Sequence, residues 1–303
     1  MMEQELCGVI LINKHKGVTS HGIVNSIRRI YKTKRVGHTG TLDPLATGVL
    51  PVLIGRGAKA AEYLISENKE YIAELVLGIE TDTEDITGNI TQKSDTLPTK
   101  EEFFEACKRF VGKIKQVPPM YSALKVDGQK LVDLARRGIS VEREARDIEI
   151  FSIVPSVLSE NEGRYKIKVS CSKGTYIRTL ITDIGRALGS FATMTELERT
   201  KSGDFLIEGA HTINDIENMT ADERASLVMP IESLFMTAPL VSLPDFYARL
   251  CRSGCEIYQR KISTSYPVGT FVRIADKNGF FAIGKVLSYG EESAIKALKL
   301  FVL

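Results

Sequence analysis

The spacing of apolar residues predicts alternating strands and helices in the first third of the chain. The apolar runs GVILINK (8–14) and GVLPVLIG (48–55) are typical of buried strands. Between them, Thr19 or Ser20 can cap a helix, because apolar residues then recur at helical spacing: Ile23, Ile27, Ile30 and Tyr31. A short helix is expected from about residue 58 to residue 65, and stretch 69–78 predicts a further strand.

The rest of the chain adds two helices and more strands. Thr99 and Glu102 predict a capping box at the start of a helix with this buried stripe: Phe103, Cys107, Phe110 and Val111. Residues 164–171 alternate as a half-buried strand, and a helix is expected over 175–189. Asn278-Gly279 between two β-rich runs is typical of a hairpin turn. These patterns predict a small β domain from about residue 238.

The composition is that of an ordinary globular protein. The chain has 303 residues, of which 43% are hydrophobic and 26% are charged, enough for a large domain and a smaller one. No apolar run approaches the length of a membrane span, and the N-terminal stretch lacks a signal-peptide pattern. Five cysteines, an odd number, do not suggest a disulfide framework. We therefore expect a cytoplasmic protein with reduced thiols and no membrane contact.

Positive charge is concentrated near the N-terminus. The net charge is only +2, yet residues 6–42 contain seven Lys or Arg residues and no Asp or Glu. A block of one sign suits a polyanion such as nucleic acid, whereas a solvated helix face more often carries both signs. The distribution favours a surface that faces phosphates.

The first carboxylate after this basic block is Asp43, in the Gly- and Pro-punctuated loop GHTGTLDPLATGVLP (37–51). Such a carboxylate can be a nucleophile, a member of a catalytic pair, a metal ligand or a cap that shapes a turn. The spacing suggests no further metal ligands, and the acidic segment ETDTED (80–85) is expected to face solvent. No phosphate-binding loop or dinucleotide fingerprint is present. The residues alone predict a nucleic-acid-binding protein with one candidate catalytic carboxylate and neither cofactor nor metal.

The loop at 37–51 closely resembles the central motif of the bacterial tRNA pseudouridine-55 synthases, the TruB family. Four further stretches are similar to family motifs, in family order: NKHKGVTS (13–20), KEYIAELVLGIETDTEDITG (69–88), QVPPMYSALKVDGQKLVDLARRG (116–138) and CSKGTYIRTLITDIGRALG (171–189). The resemblance runs from residue 13 to about residue 200, some two-thirds of the chain. One departure is His15, where the family usually has Pro, and we expect it to affect the local turn rather than the chemistry.

The resemblance implies roles for six side chains. Asp43 matches the catalytic carboxylate, which attacks or deprotonates at the ribose. Arg178 matches the arginine that pairs with it, and a bidentate contact would keep that carboxylate charged and oriented. Tyr71 matches the tyrosine on which the flipped uridine stacks. The remaining three match positions that contact the target RNA, the histidine as an aid to flipping: His38, Tyr176 and Leu197.

The resemblance also implies the reaction, which is the isomerisation of uridine-55 in the T loop of tRNA to pseudouridine, without a guide RNA. The N1–C1′ bond breaks, the base turns and it rejoins through C5, so neither cofactor nor hydrolytic water is needed. The target base must first be flipped into a pocket. The alternatives are a guide-RNA-dependent synthase and an RNA-folding helper in which catalysis is secondary.

The architecture implied by the family is α+β. A catalytic domain with a mixed, mainly antiparallel sheet is expected over residues 1–237, with an RNA-gripping insertion at about 116–146. A small C-terminal β-barrel of the PUA type is expected over residues 238–303. The expected partner is the T stem-loop of tRNA, bound by a monomer that requires no protein partner.

Overall fold

The computed structural model describes residues 6–64 and 68–302. Within them the chain forms strands β1 (Gly8–Lys14), β2 (Val36–His38), β3 (Thr47–Ile54), β4 (Lys69–Leu77), β5 (Ile79–Thr81), β6 (Ile90–Lys93), β7 (Gly112–Gln116), β8 (Lys125–Val126), β9 (Gln129–Lys130), β10 (Arg146–Ser159), β11 (Arg164–Cys171), β12 (Ala192–Ser202), β13 (Phe205–Leu206), β14 (Met229–Pro230), β15 (Leu240–Ser242), β16 (Ile257–Tyr258), β17 (Phe271–Asp276), β18 (Gly279–Tyr289) and β19 (Glu292–Leu300). The α-helices are α1 (Ser20–Ile30), α2 (Ala61–Leu64), α3 (Lys100–Arg109), α4 (Leu131–Ala135), α5 (Ile177–Ala187), α6 (Ile213–Asn218), α7 (Ala221–Ser226) and α8 (Asp245–Arg252). Short 3₁₀ segments span Gly55–Ala60, Ile207–Gly209, Ile231–Phe235 and Gln259–Lys261.

One large mixed sheet organises residues 8–230. Its strand order is β14-β1-β3-β12-β4-β11-β10-β7, with β2 added to β3 and β13 added to β12. All of these pairings are antiparallel except β3 with β12. At that parallel junction Thr47 lies opposite Glu198, and Gly48 lies opposite Arg199. The predicted α+β fold with a mixed, mainly antiparallel sheet is confirmed, and the junction brings the N-terminal strands beside the centre of the sheet.

The helices form where local sequence signals and an apolar face coincide. Thr19 caps α1 by accepting a hydrogen bond from the N–H of Gly22 at 2.9 Å, and Thr99 with Glu102 forms the predicted capping box of α3. Apolar side chains of α1, α3 and α5 join those of β4 and β11 in one core. The predicted stripe of α3 is wrong at Val111, which is 43% exposed because the helix already ends at Arg109.

Two predicted helices differ from the structure, and one pair of strands was not predicted. The helix expected over 58–65 is a 3₁₀ segment followed by the single turn α2, and Ile65 lies outside the described residues. The helix expected over 175–189 begins two residues later, at Ile177. Strands β5 and β6 follow β4 and pair with each other, although no strand was predicted there. In each case backbone pairing or helix type depends on contacts that the local pattern does not contain.

The predicted insertion at 116–146 leaves the sheet and returns to it at one place. Gln116, the last residue of β7, pairs with Arg146, the first residue of β10. The residues between them form the β8–β9 hairpin and α4. The paired strands thus hold the two ends of the insertion together at the edge of the sheet.

The C-terminal strands form a five-stranded half-barrel sheet in the order β15-β17-β18-β19-β16, consistent with a PUA-like domain. The predicted hairpin is present, since Gly279 has a φ of +107° and the carboxylate of Asp276 accepts the N–H of Asn278. Ile283 of this sheet and Phe301, which follows β19, share a hydrophobic cluster with residues of β1, β3 and the 3₁₀ segment at 231–235. The predicted boundary at residue 238 therefore coincides with no break in packing, and the two-domain division stays a prediction. None of the helices in the described ranges is long and apolar enough to cross a membrane.

Candidate active site

A cavity of about 530 Å³ opens beside the parallel junction of the large sheet. Its walls come from the loop between β2 and β3, from strands β4 and β12, from the insertion and from the start of α5. The six side chains singled out from the sequence all line it: His38, Asp43, Tyr71, Tyr176, Arg178 and Leu197. Tertiary structure thus brings together residues that are up to 159 positions apart in the chain.

Asp43 lies in a loop whose backbone is anchored on both sides of the carboxylate. The hydroxyl of Ser20, at the start of α1, donates to the carbonyl of Leu42 at 2.9 Å and accepts its N–H at 2.8 Å. On the other side, the carbonyl of Pro44 accepts the N–H of Gly17 at 2.8 Å. The Asp43 side chain remains 35% exposed, so a fixed carboxylate is presented to the cavity.

Lys14 also contacts the loop of Asp43. Its side chain is fully buried, and its ammonium donates to the carbonyls of His15, Val18 and Pro44 at 3.0, 2.9 and 3.4 Å. Burial lowers the pKa of Lys14 to about 8, against the opposing influence of the nearby Asp43. Three carbonyl acceptors use all three donors of the protonated amine, so the charge state of Lys14 is coupled to the loop.

Arg178, in the first turn of α5, joins three segments around the cavity. Its Nε lies 2.9 Å from Oδ2 of Asp43, Nη1 donates to the carbonyl of Thr83 at 2.8 Å and Nη2 donates to the carbonyl of Tyr121 at 2.9 Å. The expected pairing with Asp43 is present, but its expected bidentate form is wrong, because two of the three nitrogens are turned to backbone carbonyls. The guanidinium is only 5% exposed, so these contacts form away from solvent.

The prediction that the acidic segment 80–85 faces solvent is wrong for Glu80 and Asp85, which are buried, whereas Asp82 is exposed. Asp85 is 6% exposed and accepts hydrogen bonds from the hydroxyls of Thr83 and Thr87 at 3.0 and 2.5 Å. Its Oδ2 lies 3.9 Å from Nη1 of Arg178. The turn therefore places a second carboxylate next to Arg178, the arginine that contacts Asp43.

Two further acids of this segment dock on α5. Glu80 accepts from Nε and Nη2 of Arg186, both at 2.8 Å, and Glu84 accepts from the hydroxyl of Thr179 at 2.5 Å. Burial raises the pKa of Glu84, although its hydrogen bond from Thr179 acts in the opposite direction. These contacts, between residues about 100 positions apart, explain why the polar segment is turned inward.

Tyr71 and Leu197 form the wall supplied by the sheet. Both are 7% exposed, and in the β4–β12 ladder Tyr71 lies opposite Arg199 while Leu197 lies opposite Ala73. Burial raises the pKa of Tyr71, and the positive charge of the nearby Arg199 opposes that effect. The aromatic ring is thus held in a rigid ladder rather than on a loop.

Tyr176 is fixed through its backbone by a residue of the insertion. Its N–H donates to Oε1 of Gln116 at 2.8 Å, and its carbonyl accepts from Nε2 of the same side chain at 3.1 Å. Burial raises the pKa of the Tyr176 phenol. One buried amide therefore ties the start of α5 to the base of the insertion.

His38 ends β2 at the rim of the cavity. Burial, followed by the nearby Arg199 and His21, lowers its pKa from 6.5, so the imidazole is neutral at pH 7. Its Nδ1 has no hydrogen-bond partner within the part of the chain that the structure describes. A neutral ring with an unused nitrogen suits contact with RNA better than ion pairing. Across the described ranges, no group of three or more His, Cys, Asp or Glu side chains is arranged to hold a metal ion.

Comparison with known proteins assigns this arrangement to a family. A profile described as TruB family pseudouridylate synthase (N terminal domain) matches residues 28–177, and one described as tRNA pseudouridylate synthase B C-terminal domain matches residues 178–236. The tRNA pseudouridine synthase B of Clostridium tetani (strain Massachusetts / E88) is 40% identical over 97% of this chain and 99% of its own length. The chain belongs to the TruB family. Pseudouridine synthases are isomerases, so the family is one of enzymes.

Further TruB relatives and solved structures agree. The tRNA pseudouridine synthase B of Neisseria meningitidis serogroup A / serotype 4A (strain DSM 15465 / Z2491) is 39% identical over 97% of this chain and 94% of its own length. A chain from the structure of an H/ACA RNP bound to a substrate RNA containing 2′-deoxyuridine superposes with a TM-score of 0.73 at 25% identity, covering 98% of this chain and 85% of that one. The fold is that of the pseudouridine synthases.

Several residues of this TruB site were not predicted from the sequence: Lys14, Asp85, Gln116 and Arg199. The first three lie inside the stretches that resemble family motifs, so their position was a signal. Nothing local shows that they contact Pro44, Arg178 and Tyr176, respectively. Arg199 lies two residues after Leu197, and the two-residue period of a strand would have placed it on the same face had β12 been recognised as a strand.

Proposed function

We propose that this protein converts uridine-55 in the T loop of tRNA to pseudouridine, acting alone and without a guide RNA. The observation that carries the proposal is the contact of Asp43 with a buried Arg178 in a cavity that Tyr71 also lines. The relatives that match nearly the whole chain are named as tRNA pseudouridine synthases. The isomerisation of a flipped base requires one oriented carboxylate and one aromatic side chain on which the base can stack.

The reaction leaves the composition of the RNA unchanged. The carboxylate of Asp43 either attacks C1′ or removes a proton from the ribose, and the N1–C1′ bond breaks. The bond between Asp43 and C1′ breaks again, or the ribose regains its proton, when C5 joins C1′. The freed base turns within the cavity, a C5–C1′ bond forms, the proton leaves C5 and N1 gains one. The cavity of about 530 Å³ lies in the range of pockets that enclose small molecules, so it has room for a base to turn.

The remaining cavity residues bind and orient the flipped nucleotide. Tyr71 supplies a face for stacking, which is worth roughly 1–3 kcal/mol per base. Leu197 and Tyr176 confine the base and ribose, and the neutral His38 at the rim assists flipping. Arg178 holds Asp43 in place through a contact made away from solvent.

The RNA is held by surfaces on both sides of the cavity. Helix α1 starts at Ser20, which anchors the loop of Asp43, and leads to the exposed basic residues Lys32, Lys34 and Arg35. The insertion at 116–146 supplies Ser122, Ala123 and Leu124 to the cavity wall and grips the T stem. The C-terminal sheet adds a second RNA-binding domain. The enzyme works as a cytoplasmic monomer that needs no protein partner.

Modification mapping tests the proposal. An unmodified tRNA transcript is incubated with the purified protein, with Asp43→Asn or with Asp95→Asn, and no cofactor is added. Asp95 is exposed and does not line the cavity, so it is a matched control. We expect pseudouridine at the T-loop position with wild type and Asp95→Asn, no product with Asp43→Asn, and tRNA affinities within a few-fold of one another.

Other outcomes have distinct meanings. Tight tRNA binding without product from the wild-type protein would overturn the proposal in favour of a guide-dependent enzyme or an RNA-folding helper. Adding a guide RNA and partner proteins would then separate these two, since only the guide-dependent enzyme would gain activity. Product from Asp43→Asn would exclude Asp43 as the essential carboxylate.

A further inference from the structure

Gln116 is a buried amide at the place where the insertion leaves the large sheet. It is the last residue of β7 and lies opposite Arg146, where the insertion returns to the sheet. The residue is 2% exposed, and both polar atoms of its side chain contact the backbone of Tyr176, 60 residues further along the chain. Oε1 accepts the N–H of Tyr176 at 2.8 Å, and Nε2 donates to the carbonyl of Tyr176 at 3.1 Å. One side chain at the edge of the sheet thus fixes the cap residue of α5.

Helix α5 has no cap of its own at this end. Its cap residue is Tyr176, whose side chain makes no capping hydrogen bond, and its first turn contains no acidic residue. In a capping box the side chain three residues after the cap accepts the N–H of the cap residue, but here that residue is Thr179, whose hydroxyl donates to Glu84 at 2.5 Å. Gln116 therefore supplies, from a distant segment, the acceptor that the local sequence of α5 lacks.

A second contact attaches the insertion to the same turn of α5. Nη2 of Arg178 donates to the carbonyl of Tyr121 at 2.9 Å, five residues after Gln116. Two buried prolines lie between these attachment points, Pro118 and Pro119, and each fixes its own φ. The next three residues of the insertion, 122–124, line the cavity together with Tyr176. The stiff segment 116–121 therefore links the start of α5 to a part of the cavity wall.

Packing alone does not require a glutamine at this position. Methionine has a similar volume and would fill the space without burying an amide, which is unfavourable unless the amide is hydrogen bonded. What glutamine adds is a donor and an acceptor on one planar group, and these match the carbonyl and the N–H of a single residue. The same pairing occurs between Gln259 and the backbone of Tyr266, at 2.9 and 2.7 Å. The two glutamines make the same backbone contacts, and only the residue held by Gln116 lines the cavity.

We propose that Gln116 is a positioning residue of the isomerisation, which acts through Tyr176 by holding the backbone of that residue at a fixed position beside the insertion. The ring of Tyr176 and residues 122–124 are then already in place when the flipped uridine enters the cavity. The inference rests on the proposed function, since it assumes that Tyr176 confines the flipped nucleotide. Because Gln116 is buried, we expect its effect on the steps after docking rather than on docking itself.

A double-mutant cycle tests this role. The variants are Gln116→Met, Tyr176→Ala and the double variant, and the rate of pseudouridine formation is measured in single turnover at saturating protein, beside the Kd for tRNA. Methionine keeps the volume of the side chain and removes both hydrogen bonds. We expect Gln116→Met to lower the rate by about 10- to 100-fold with Kd changed by less than about threefold, because a small misplacement mainly affects the reacting geometry. In the Tyr176→Ala background the same substitution should lower the rate by less than about threefold, because the ring that Gln116 positions is then absent.

A second variant and a second readout keep the cycle measurable. If thermal unfolding shows that Gln116→Met does not fold, Gln116→Asn takes its place, because asparagine retains an amide but is one methylene too short to reach both the N–H and the carbonyl of Tyr176. If Tyr176→Ala is too slow to follow, fluorescence of 2-aminopurine placed next to the target uridine reports capture of the flipped base without requiring product. The substitution at Gln116 should then reduce the amplitude of this signal in the wild-type background and leave it nearly unchanged in the Tyr176→Ala background.

Gln259→Met is the matched control. Gln259 is 4% exposed, and its substitution removes the equivalent contacts with the backbone of Tyr266, so both methionine variants should lose thermal stability while only Gln116→Met loses rate. Equal losses of rate from the two variants would overturn the inference, as would rate effects of Gln116→Met and Tyr176→Ala that multiply independently. Either result would leave the proposed function intact. A wild-type protein that makes no pseudouridine in tRNA would overturn the proposed function instead.

Discussion

Replacing Arg178 with lysine separates the charge beside Asp43 from the geometry that holds it. The guanidinium reaches Asp43, the carbonyl of Thr83 and the carbonyl of Tyr121 with three different nitrogens. Lysine retains a cation, but one compact ammonium on a flexible stem cannot meet all three acceptors at once. We expect Arg178→Lys to keep at most the contact with Asp43 and to release the two carbonyls.

The magnitude follows from the burial of these contacts. Arg178 is 4% exposed, so water does not readily replace the lost donors. Each buried acceptor left without a partner costs roughly 1–3 kcal/mol, and two such carbonyls give a loss of stability of about 2–6 kcal/mol by the same principle. The rate should fall on the order of 100-fold, because a catalytic group displaced by about 1 Å loses that much.

The assay combines single-turnover pseudouridine formation on a tRNA transcript with thermal unfolding of each variant. Arg186→Lys is the control on the same helix, since Arg186 contacts both oxygens of Glu80 but its side chain is 55% exposed. Lysine at position 186 keeps a cation beside the buried Glu80, and Arg186 does not line the cavity, so the rate of this variant should stay near that of the wild type. A wild-type rate for Arg178→Lys would refute the reasoning, as would an equal loss of rate from Arg186→Lys.

Three further predictions concern charges around the site. Burial lowers the pKa of Lys14 to about 8, so the rate of pseudouridine formation should fall as the pH rises through about 8, and a flat pH–rate profile would contradict this. The free energy of unfolding should not fall over the same range. Between pH 8 and 10.5 the unfolded chain still binds the proton that the folded chain has lost. Burial raises the pKa of Glu84, so ionisation of this carboxyl destabilises the folded state as the pH rises. Glu84→Gln should therefore raise the melting temperature at pH 7.5 by about 2–4 °C. At low pH, where the carboxyl is protonated in both the folded and the unfolded state, the variant should show no gain. Neutralising Lys32, Lys34 and Arg35 together should weaken tRNA binding and reduce the slope of log K against log salt by up to about 2–3; an unchanged slope would argue against their contact with phosphates.

The local sequence was sufficient for elements whose stabilising contacts lie within a few residues. Thr99 and Glu102 form their capping box within one helical turn, and the turn at Asn278-Gly279 lies between adjacent strands. The candidate carboxylate could also be found, because Asp43 follows a long stretch without acids. Roles for Tyr71 and Arg178, by contrast, came from resemblance to a family, and periodicity alone would have placed Tyr71 in the core.

The strand β12 shows the limit of local reasoning. Its sequence, ATMTELERTKS, is largely polar and has no clear alternation, yet it pairs with β4 over its length and with β3 at Gly48. These pairings join residues about 120 to 150 positions apart. Strand formation there depends on partners that the pattern of one segment does not reveal.

The sequence by itself determined the family, the α+β class, the basic N-terminal stretch and the six side chains that line one cavity, because these depend on residue types and short-range order. Only the tertiary structure decided how the polar contacts of the site are distributed. It divided the guanidinium of Arg178 among three acceptors, turned the buried Asp85 toward it and placed Arg199 opposite Tyr71 in the sheet. The physical reason is that a buried donor takes whichever acceptors the packed backbone brings within reach, and that choice exists only once distant strands and turns have met.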